Sequence, residues 1–399
     1  MVATWAEMAT PWRPRGGLPD DCGGHRGHFG PATNAITPRG CEGKAAPDWG
    51  TILFPVPREI RMSLVGLDIG YSAVKIAHGD GRNPALLQLP VGAAPTDRCG
   101  LTIGGESATA GGHQVLIDGA EWVAGIDPGR LSGWVQAMDD SYVTTPEYRA
   151  LFYAALSAVG KDKIKVLVTG LPVSHFQNEA MRNSLKSMMT GRHAIREGFV
   201  VDVEQVVVVP QPAGAFSAHM VDAASGPLPY RIERGRSVLV VDPGHYSLDW
   251  IIYQGNFRLE SSGSTSEAGE AVVRAAAAAL SEQYGVKVRP VRLQEAILAG
   301  EATVTIGRHI IPYMQAMRSA AADIISRSMK TIRGSIRQVM DQRGVDLVLV
   351  AGGGAELFEA PLRDVLSEAA VTRVSNPLMA NARGFYIYAL QQASAAAAA

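Results

Sequence analysis

Short, nearly continuous apolar runs recur along the chain from about residue 62 onward. They cover residues 64–67, 164–168, 205–209, 238–241 and 347–351. Runs of this kind, rich in β-branched residues and ended by Gly, Pro or Asp, are typical of strands that are buried on both faces. The pattern therefore predicts sheets that are covered by helices on both sides.

Helical patterns fill the intervals between these runs. We predict helices over residues 146–159, 175–190, 268–284 and 312–342. The first of them starts with Pro146 after Thr145, which is a favoured arrangement at a helix start. The last carries a Met-rich apolar stripe from Met314 to Met340, which we expect to face the core because Met commonly fills helix cores. The mixing of strands and helices predicts an α/β or α+β architecture.

The two ends of the chain differ from this pattern. Residues 1–61 contain 9 Gly and 8 Pro and no sustained apolar period, which predicts a disordered extension. Two alternatives stay open: a partner-binding tail, and a stretch upstream of a true translation start at Met62. At the other end we predict that residues 393–399 form a frayed, Ala-rich tail.

Composition and charge narrow the class of protein. The 399 residues include 37 Lys+Arg and 38 Asp+Glu, a net charge of −1, so direct nucleic-acid binding is not expected. With 47% hydrophobic residues the chain can bury one or two cores. The three cysteines have no C-x-x-C spacing, so neither a disulfide framework nor a zinc site is indicated. No apolar run is long enough to cross a bilayer, and we expect a soluble, cytoplasmic protein without membrane contact.

A strand, D-x-G turn and second strand occur twice in the chain. The first copy covers residues 65–76 and the second covers residues 240–251. Glycine allows a tight turn in which backbone N–H groups can cradle phosphate oxygens. The aspartates Asp68 and Asp242 stand at strand ends, where a carboxylate can hold Mg²⁺, usually through its waters. A single D-x-G turn is an ordinary hairpin turn, but two copies favour a clamp for the β- and γ-phosphates of a nucleotide.

A third element follows the two hairpins in chain order. The buried run 347–351 leads into Gly352, Gly353 and Gly354, and a helix is predicted to start at the next residue. Bare glycine backbone lets a flat base or ribose approach closely, and the helix start adds a favourable dipole. Together with the two hairpins, this element indicates a nucleotide site.

The order D-x-G hairpin, D-x-G hairpin, G-G-G-A resembles the actin/Hsp70/sugar-kinase superfamily of two-domain ATPases over about residues 62–392. Residues 242–249, 352–356 and 377–386 look most like the bacterial ParM/StbA plasmid-segregation actins, with a narrower resemblance to the ParM/StbA-like component of the PRTRC cassettes. This resemblance implies a two-domain, actin-like (ribonuclease H-like) α/β fold with a nucleotide in the interdomain cleft. Domain I would comprise residues 62–230 and 376–392, and domain II residues 231–375.

The resemblance also implies roles for particular residues. Asp68 and Asp242 would be the Mg²⁺-associated aspartates, bound through water, and Gln211 would orient the attacking water. The two phosphate loops would be Gly70, Tyr71 and Ser72, and Gly244, His245, Tyr246 and Ser247. Lys75 would contact a phosphate, Glu270 the ribose or base, and Gly352, Gly353, Gly354 and Glu356 the nucleotide from the third element. Alternatives stay open for Lys75, which could face outward, and for Gln211, which could be an ordinary polar residue at a strand end.

The second predicted phosphate loop departs from the superfamily pattern. Pro243, His245 and Tyr246 replace the small residues commonly found there. Proline removes one backbone N–H, and the two larger side chains would crowd a γ-phosphate. Slow hydrolysis, or nucleotide binding without efficient turnover, is therefore open.

The function expected from the resemblance is a ParM/StbA-like ATPase. It would bind ATP, or GTP, with Mg²⁺ and form head-to-tail filaments with itself. A role in plasmid or DNA segregation would require a DNA-binding adaptor protein. Two alternatives stay open: a small-molecule kinase of the same superfamily and a nucleotide-gated scaffold that does not polymerise.

Overall fold

A computed structural model describes residues 63–101, 105, 109–134, 137, 139, 141–225, 236–342 and 344–398. The predicted extension 1–61 and Met62 lie outside these residues. The strands are β1 Leu64–Ile69, β2 Val74–Gly79, β3 Ala85–Leu89, β4 Gly92–Pro95, β5 His113–Ile117, β6 Ala120–Ile126, β7 Lys163–Leu171, β8 Gly191–Arg196, β9 Phe199–Pro210, β10 Val238–Pro243, β11 Leu248–Tyr253, β12 Gly263–Thr265, β13 Thr303–Ile306, β14 His309–Pro312, β15 Leu347–Val350 and β16 Ala370–Arg373. The helices are α1 Pro146–Val159, α2 Val173–Gln177, α3 Glu179–Met189, α4 Gln211–Ser225, α5 Gly269–Tyr284, α6 Pro290–Leu298, α7 Met314–Gln342, α8 Ala355–Val365 and α9 Ala380–Ala398.

A six-stranded mixed sheet has the order β3-β2-β1-β7-β9-β8. Its centre is parallel, because β7 pairs in parallel with both β1 and β9. Helix α1 packs with the buried side chains of one face, and α9 packs with those of the other. Burial on both faces explains the continuous apolar runs of β1 and β7. A separate three-stranded sheet, β4-β6-β5, lies beside α1.

A five-stranded mixed sheet has the order β12-β11-β10-β15-β16. Helices α5, α7 and α8 cover one face, and α4 contributes Ala215 and Phe216 to the other. The two large sheets repeat one arrangement, since β1 and β10 each pair with an antiparallel neighbour on one side and a parallel strand on the other. The mixed α/β fold predicted from the apolar pattern is confirmed. None of the helices in the described ranges is both long and apolar enough to span a membrane.

The predicted helices agree closely with the structure, except for one. Helix α1 begins and ends where predicted, and the Met-rich stripe of α7 faces the core. The predicted helix 175–190 is instead two helices, α2 and α3, separated by Asn178. Asn178 has an extended backbone, and its side chain accepts a hydrogen bond from the N–H of Met181 at 3.3 Å. Such a cap starts a new helix rather than continuing the previous one.

The carboxyl-terminal helix α9 extends beyond residue 392, at which the predicted carboxyl-terminal segment of domain I ends. It continues to Ala398, and Ala393 is buried in the cluster between α9 and the six-stranded sheet. Residues 393–398 of the predicted frayed tail are therefore helical in α9, and the fraying itself stays a prediction. The structure does not test the predicted domain boundaries, which stay predictions.

Helices α4 and α9 cross at two glycines. A Cβ atom added to Gly384 would lie 1.7 Å from the carbonyl oxygen of Gly214. No side chain fits there, so glycine at this crossing lets the two backbones touch. Because α4 packs on the five-stranded sheet and α9 on the six-stranded sheet, this crossing joins the two halves of the molecule.

Candidate functional site

The two D-x-G hairpins, β1–β2 and β10–β11, have the same turn geometry. In the first hairpin the N–H of Gly70 donates to the carbonyl of Ala73 at 3.1 Å. In the second hairpin the N–H of Gly244 donates to the carbonyl of Ser247 at 2.8 Å. The matching hydrogen bonds show that the repeated motif folds into the same local structure twice.

Each strand-end aspartate lies opposite the residue seven positions later. Asp68 pairs in register with Lys75, and Asp242 pairs in register with Asp249. The first hairpin therefore places a cation beside its aspartate, whereas the second places another carboxylate there. This difference decides the electrostatics of the site.

Asp68 is held by two side chains from different elements. Its Oδ2 lies 3.0 Å from the Nζ of Lys75, and its Oδ1 accepts a hydrogen bond from the Nε2 of Gln211 at 2.9 Å. Asp68 is buried, and a Cβ atom added to Gly70 would lie 2.9 Å from the same Nζ. The ammonium group thus lies over the first turn, facing inward, and Gln211 begins α4 with its amide aimed at the site.

Asp242 is hydrogen-bonded to the carboxyl-terminal helix. The Nδ2 of Asn381 donates to its Oδ2 at 2.7 Å, and the Oδ1 of Asn381 accepts from the N–H of Ala215 at 3.2 Å. A Cβ atom on Gly352 would lie 2.1 Å from the Oδ1 of Asp242, and Gly352 has φ of 73°. Glycine is required there by both the close approach and the left-handed backbone.

The pKa of Asp242 is raised to about 7, and burial is the largest cause. The negative charges of Asp249 and Asp68 contribute to this rise, while the hydrogen bond from Asn381 and the charge of Lys75 oppose it. The net rise means that nearby positive charge does not offset the cost of burying the ionised carboxylate. The charge of Asp68 is among those that act on Asp242, so the two strand-end aspartates lie within electrostatic range of each other.

These carboxylates fit a magnesium ion that is shared with a ligand. In the described ranges, no group of three or more His, Cys, Asp or Glu side chains forms a metal cluster. Mg²⁺ usually keeps several waters and takes only one or two carboxylates, with phosphates supplying other oxygens. A nearby cation would stabilise the ionised form of Asp242, whose pKa burial raises, and a magnesium ion at this place stays a prediction.

Four tyrosines form a row that reaches both hairpin turns. The rings of Tyr71 and Tyr246 have centroids 4.7 Å apart. Tyr71 also stacks on Tyr142 at 4.6 Å, and Tyr142 meets Tyr148 edge-on at 5.3 Å. The turns of the two hairpins therefore lie within side-chain reach of each other.

The second turn is fastened to the start of α5. The carbonyl of Gly244 accepts from the N–H of Gly269 at 3.1 Å, and the carbonyl of His245 accepts from the N–H of Glu270 at 2.6 Å. The carboxylate of Glu270 lies 3.4 Å from Arg274. Burial lowers the pKa of His245, and the nearby charge of Lys75 lowers it further.

The three glycines are packed to different degrees. The N–H of Gly354 donates to the carbonyl of Pro243 at 2.9 Å, and the N–H of Gly352 donates to the carbonyl of Pro377 at 3.0 Å. Gly353 is exposed, and so is Glu356 in the first turn of α8. The hydrogen bond of Gly354 therefore fastens the glycine segment to the second turn, and Gly353 presents bare backbone to solvent.

A second hydrogen-bond network joins the halves of the molecule at Asp249. Its Oδ1 accepts from the N–H of Val173 at 2.8 Å and from the hydroxyl of Ser264, and its Oδ2 accepts from the hydroxyl of Ser247 at 2.5 Å. The N–H of Ser174 donates to Ser264 at 3.0 Å. Burial raises the pKa of Asp249, and these hydrogen bonds oppose that shift.

The predicted site residues thus fall into two groups. Asp68, Lys75 and Gln211 are in direct contact beside Gly70 of the first turn, whereas Gly352 and Gly354 pack against Asp242 and Pro243 and the start of α5 at Glu270 is bonded to the second turn. Glu356 is exposed, and its nucleotide contact stays a prediction along with the other assigned roles. Sequence analysis gave no role to Asn381 or Asp249. The position of Asp249, equivalent to that of Lys75, was a signal available in the repeat.

Two family descriptions match consecutive parts of the chain. Residues 66–214 match the actin-like proteins N-terminal domain. Residues 240–364 match the C-terminal domain of the archaeal, MreB-like actin homologues. Each match contains one D-x-G hairpin, and the second also contains the glycine segment. No curated protein sequence matches the chain.

Several solved structures share the fold at low sequence identity. A non-polymerisable quadruple mutant of pCBH ParM has a TM-score of 0.64 and 17% identity, over 83% of this chain and 100% of that one. The archaeal actin homologue Ta0583 in complex with ADP has a TM-score of 0.63 and 18% identity, with the same coverage. A 15-stranded ParM filament from Clostridium botulinum has a TM-score of 0.61 and 17% identity, over 83% of this chain and 99% of that one.

Proposed function

We propose that this chain, a member of the actin-like superfamily, binds a nucleoside triphosphate with Mg²⁺ between its two D-x-G hairpins and assembles head-to-tail into filaments. The observation that carries this proposal is the meeting of the two turns. Each turn is closed by the same backbone hydrogen bond, from the glycine N–H to the carbonyl three residues later, and the rings of Tyr71 and Tyr246 touch across the gap.

The chemistry of the residues supports phosphate binding at this place. The ammonium of Lys75 lies over the first turn and supplies positive charge. The hydroxyl of Ser72 and the backbone of both turns add donors. Magnesium, when bound, would neutralise phosphate charge, and Asp242 would hold its waters.

Gln211 is suited to orienting a water molecule. Its Nε2 donates to Asp68, which fixes the plane of the amide and the direction of its oxygen. A neutral amide oxygen can accept a hydrogen bond from an attacking water but is a poor base. We therefore propose ATP hydrolysis that depends on positioning, with GTP as the alternative nucleotide.

The similar structures support the biological part of the proposal. One is a ParM filament and another is an archaeal actin homologue that contains ADP. By analogy, filaments of this chain would serve plasmid or DNA segregation through a DNA-binding adaptor, as a ParM/StbA-like protein or the related component of a PRTRC cassette. The balanced charge of the chain is consistent with an adaptor rather than direct contact with DNA.

The test is high-speed sedimentation with light scattering over a concentration series. We expect polymer above a critical concentration with ATP–Mg²⁺, and little with ADP–Mg²⁺ or without nucleotide. The Asp242→Asn variant should lose this response, whereas Asp364→Asn, at an exposed position on α8, should keep it. Monomer under all conditions would contradict filament formation. Tight nucleotide binding by that monomer would then favour the scaffold, and phosphate transfer to a metabolite would favour the kinase.

A further inference from the structure

The contact between Tyr71 and Tyr246 joins two loops that are far apart in sequence. Tyr71 follows the glycine of the first turn, and Tyr246 lies two residues after the glycine of the second. Their ring centroids are 4.7 Å apart with the planes tilted by 43°. The pair therefore occupies the space between the two turns, where a phosphate held by both turns would lie.

Tyr71 is the fixed member of the pair. Its ring stacks on Tyr142, which is buried and packs edge-on against buried Tyr148. Its hydroxyl donates to the carbonyl of Asp139 at 3.2 Å. Moving Tyr71 would disturb this stack at the edge of the domain core.

Tyr246 is the member that can move at lower cost. It is half-buried, and it lies on a turn whose backbone is held by the hydrogen bond from Gly244 to Ser247 and by the start of α5. A rotation of the Tyr246 side chain separates the rings without breaking any of these backbone hydrogen bonds. The side chain, rather than the loop, is therefore the part that would open.

We propose that Tyr246 is a specificity-determining residue that shifts the selectivity of the site away from a nucleoside triphosphate and toward a nucleoside diphosphate. This inference rests on the proposed function. A γ-phosphate that is clamped by both turns at once must displace the Tyr246 ring from Tyr71. A diphosphate held by the first turn and Lys75 leaves the ring contact in place. Only binding of the triphosphate therefore has to break the contact between the two rings.

The size of the expected effect follows from the strength of an aromatic pair. Such a pair contributes an affinity factor of about 2- to 10-fold beyond the burial of its surface. Removal of the Tyr246 ring should therefore raise the ratio of triphosphate to diphosphate affinity by about 2- to 10-fold. Tyr246→Phe should keep the wild-type ratio, because the ring contact does not use the hydroxyl.

The experiment is calorimetric titration of the full chain with ADP–Mg²⁺ and with a non-hydrolysable ATP analogue with Mg²⁺. We compare the wild type with Tyr246→Ala, Tyr246→Phe and Tyr71→Ser. The ratio of triphosphate to diphosphate affinity is measured separately for each protein. A fraction of unfolded protein affects both affinities of one variant equally and therefore does not change its ratio. A raised ratio in Tyr246→Ala, with the wild-type ratio in Tyr246→Phe, supports the proposal.

Three results would overturn the inference. An unchanged ratio in both Tyr246→Ala and Tyr71→Ser would show that the ring contact does not affect selectivity. A lower ratio in Tyr246→Ala would mean that the ring helps to bind the triphosphate. Failure of the wild type to bind either nucleotide would instead reject the proposed function, and this inference with it.

Discussion

The amide of Asn381 connects Asp242 to the crossing of α4 and α9. Its Nδ2 donates to the Asp242 carboxylate at 2.7 Å, while its Oδ1 accepts from the N–H of Ala215 on α4 at 3.2 Å. Three residues later on α9, Gly384 touches Gly214 of α4. A single side chain thus links the strand end of the second hairpin to the helix pair that joins the two sheets.

Replacement of Asn381 by alanine should destabilise the protein and raise the pKa of Asp242 further. The change removes a hydrogen bond to a buried carboxylate and leaves the N–H of Ala215 without this acceptor. Loss of such partners costs about 1–3 kcal/mol of the free energy of unfolding. Urea denaturation measures the loss. The matched control is Asn83→Ala at an exposed position, which should change stability by less than about 0.5 kcal/mol. Equal effects of the two changes would contradict the role of Asn381.

The stability of the protein should depend on the ionisation of Asp242. Its pKa is raised from 3.8 to about 7 in the folded state. Between these values the folded state keeps a proton that the unfolded state has lost, so stability decreases as the pH rises through this range. The contribution is fully present below about pH 4 and is lost above about pH 7.

Comparison with Asp242→Asn isolates this effect from the other titrating groups, including His245 and Asp249. Relative to the variant, the wild type should lose up to about 1.4 kcal/mol of stability per pH unit between pH 4 and pH 7. Urea denaturation at several pH values measures the difference. A difference that is independent of pH would mean that the pKa of Asp242 is not raised. Mg²⁺ with nucleotide should reduce the slope, because a cation favours the ionised form.

Alanine at Gly384 should be among the most destabilising single changes in the chain. Its Cβ would overlap the carbonyl oxygen of Gly214, which is backbone and cannot rotate away. Overpacking of this kind costs about 1–3 kcal/mol or more. Gly334 on α7 offers a matched control, since a Cβ there meets nothing within 4 Å. Gly334→Ala should stabilise the helix by about 0.5–1 kcal/mol. Thermal unfolding of Gly384→Ala and Gly334→Ala tests these two expectations. Similar melting temperatures of the two variants would contradict the close approach of α4 and α9 at Gly214 and Gly384.

Replacement of Lys75 by methionine should cost both stability and nucleotide binding. The change leaves the Asp68 carboxylate buried without its cation, at a cost of about 3–5 kcal/mol. Lys163→Met is the control, because Lys163 is 63% exposed in its pair with Glu204 and should contribute at most about 1 kcal/mol. Adding Asp68→Asn to Lys75→Met should restore part of the stability. Additive effects in this double-mutant cycle would show that the two side chains do not interact.

Much of the fold could be predicted from the spacing of apolar residues. The runs at 64–67, 164–168 and 238–241 lie within β1, β7 and β10, and the pattern at 146–159 gave both ends of α1. The break at Asn178 was not predicted, because the apolar spacing continues across it while the backbone does not. A polar side chain such as that of Asn178 can bond to the backbone and start a new helix, and the apolar spacing does not show where this happens.

The site was predictable only in part. The D-x-G turns identified Asp68 and Asp242, because tight turns have local requirements that the sequence displays directly. The roles of Asn381 and Asp249 were not predicted, because each depends on partners on other elements: Asp242 and Ala215 for Asn381, and Val173 for Asp249. The repeat marked the position of Asp249 opposite Asp242, but hydrogen-bond partners so distant in sequence leave no spacing signal.

The local sequence specifies the buried strands, the two hairpin turns and the glycine segment, since these depend on side-chain burial and backbone freedom within a few residues. Which of these elements meet depends on the packing of the whole chain. The crossing at Gly214 and Gly384 and the pairing of the strands in two sheets bring Asn381 to Asp242 and Tyr71 into contact with Tyr246. Such contacts depend on how whole helices and sheets pack, which no local pattern specifies.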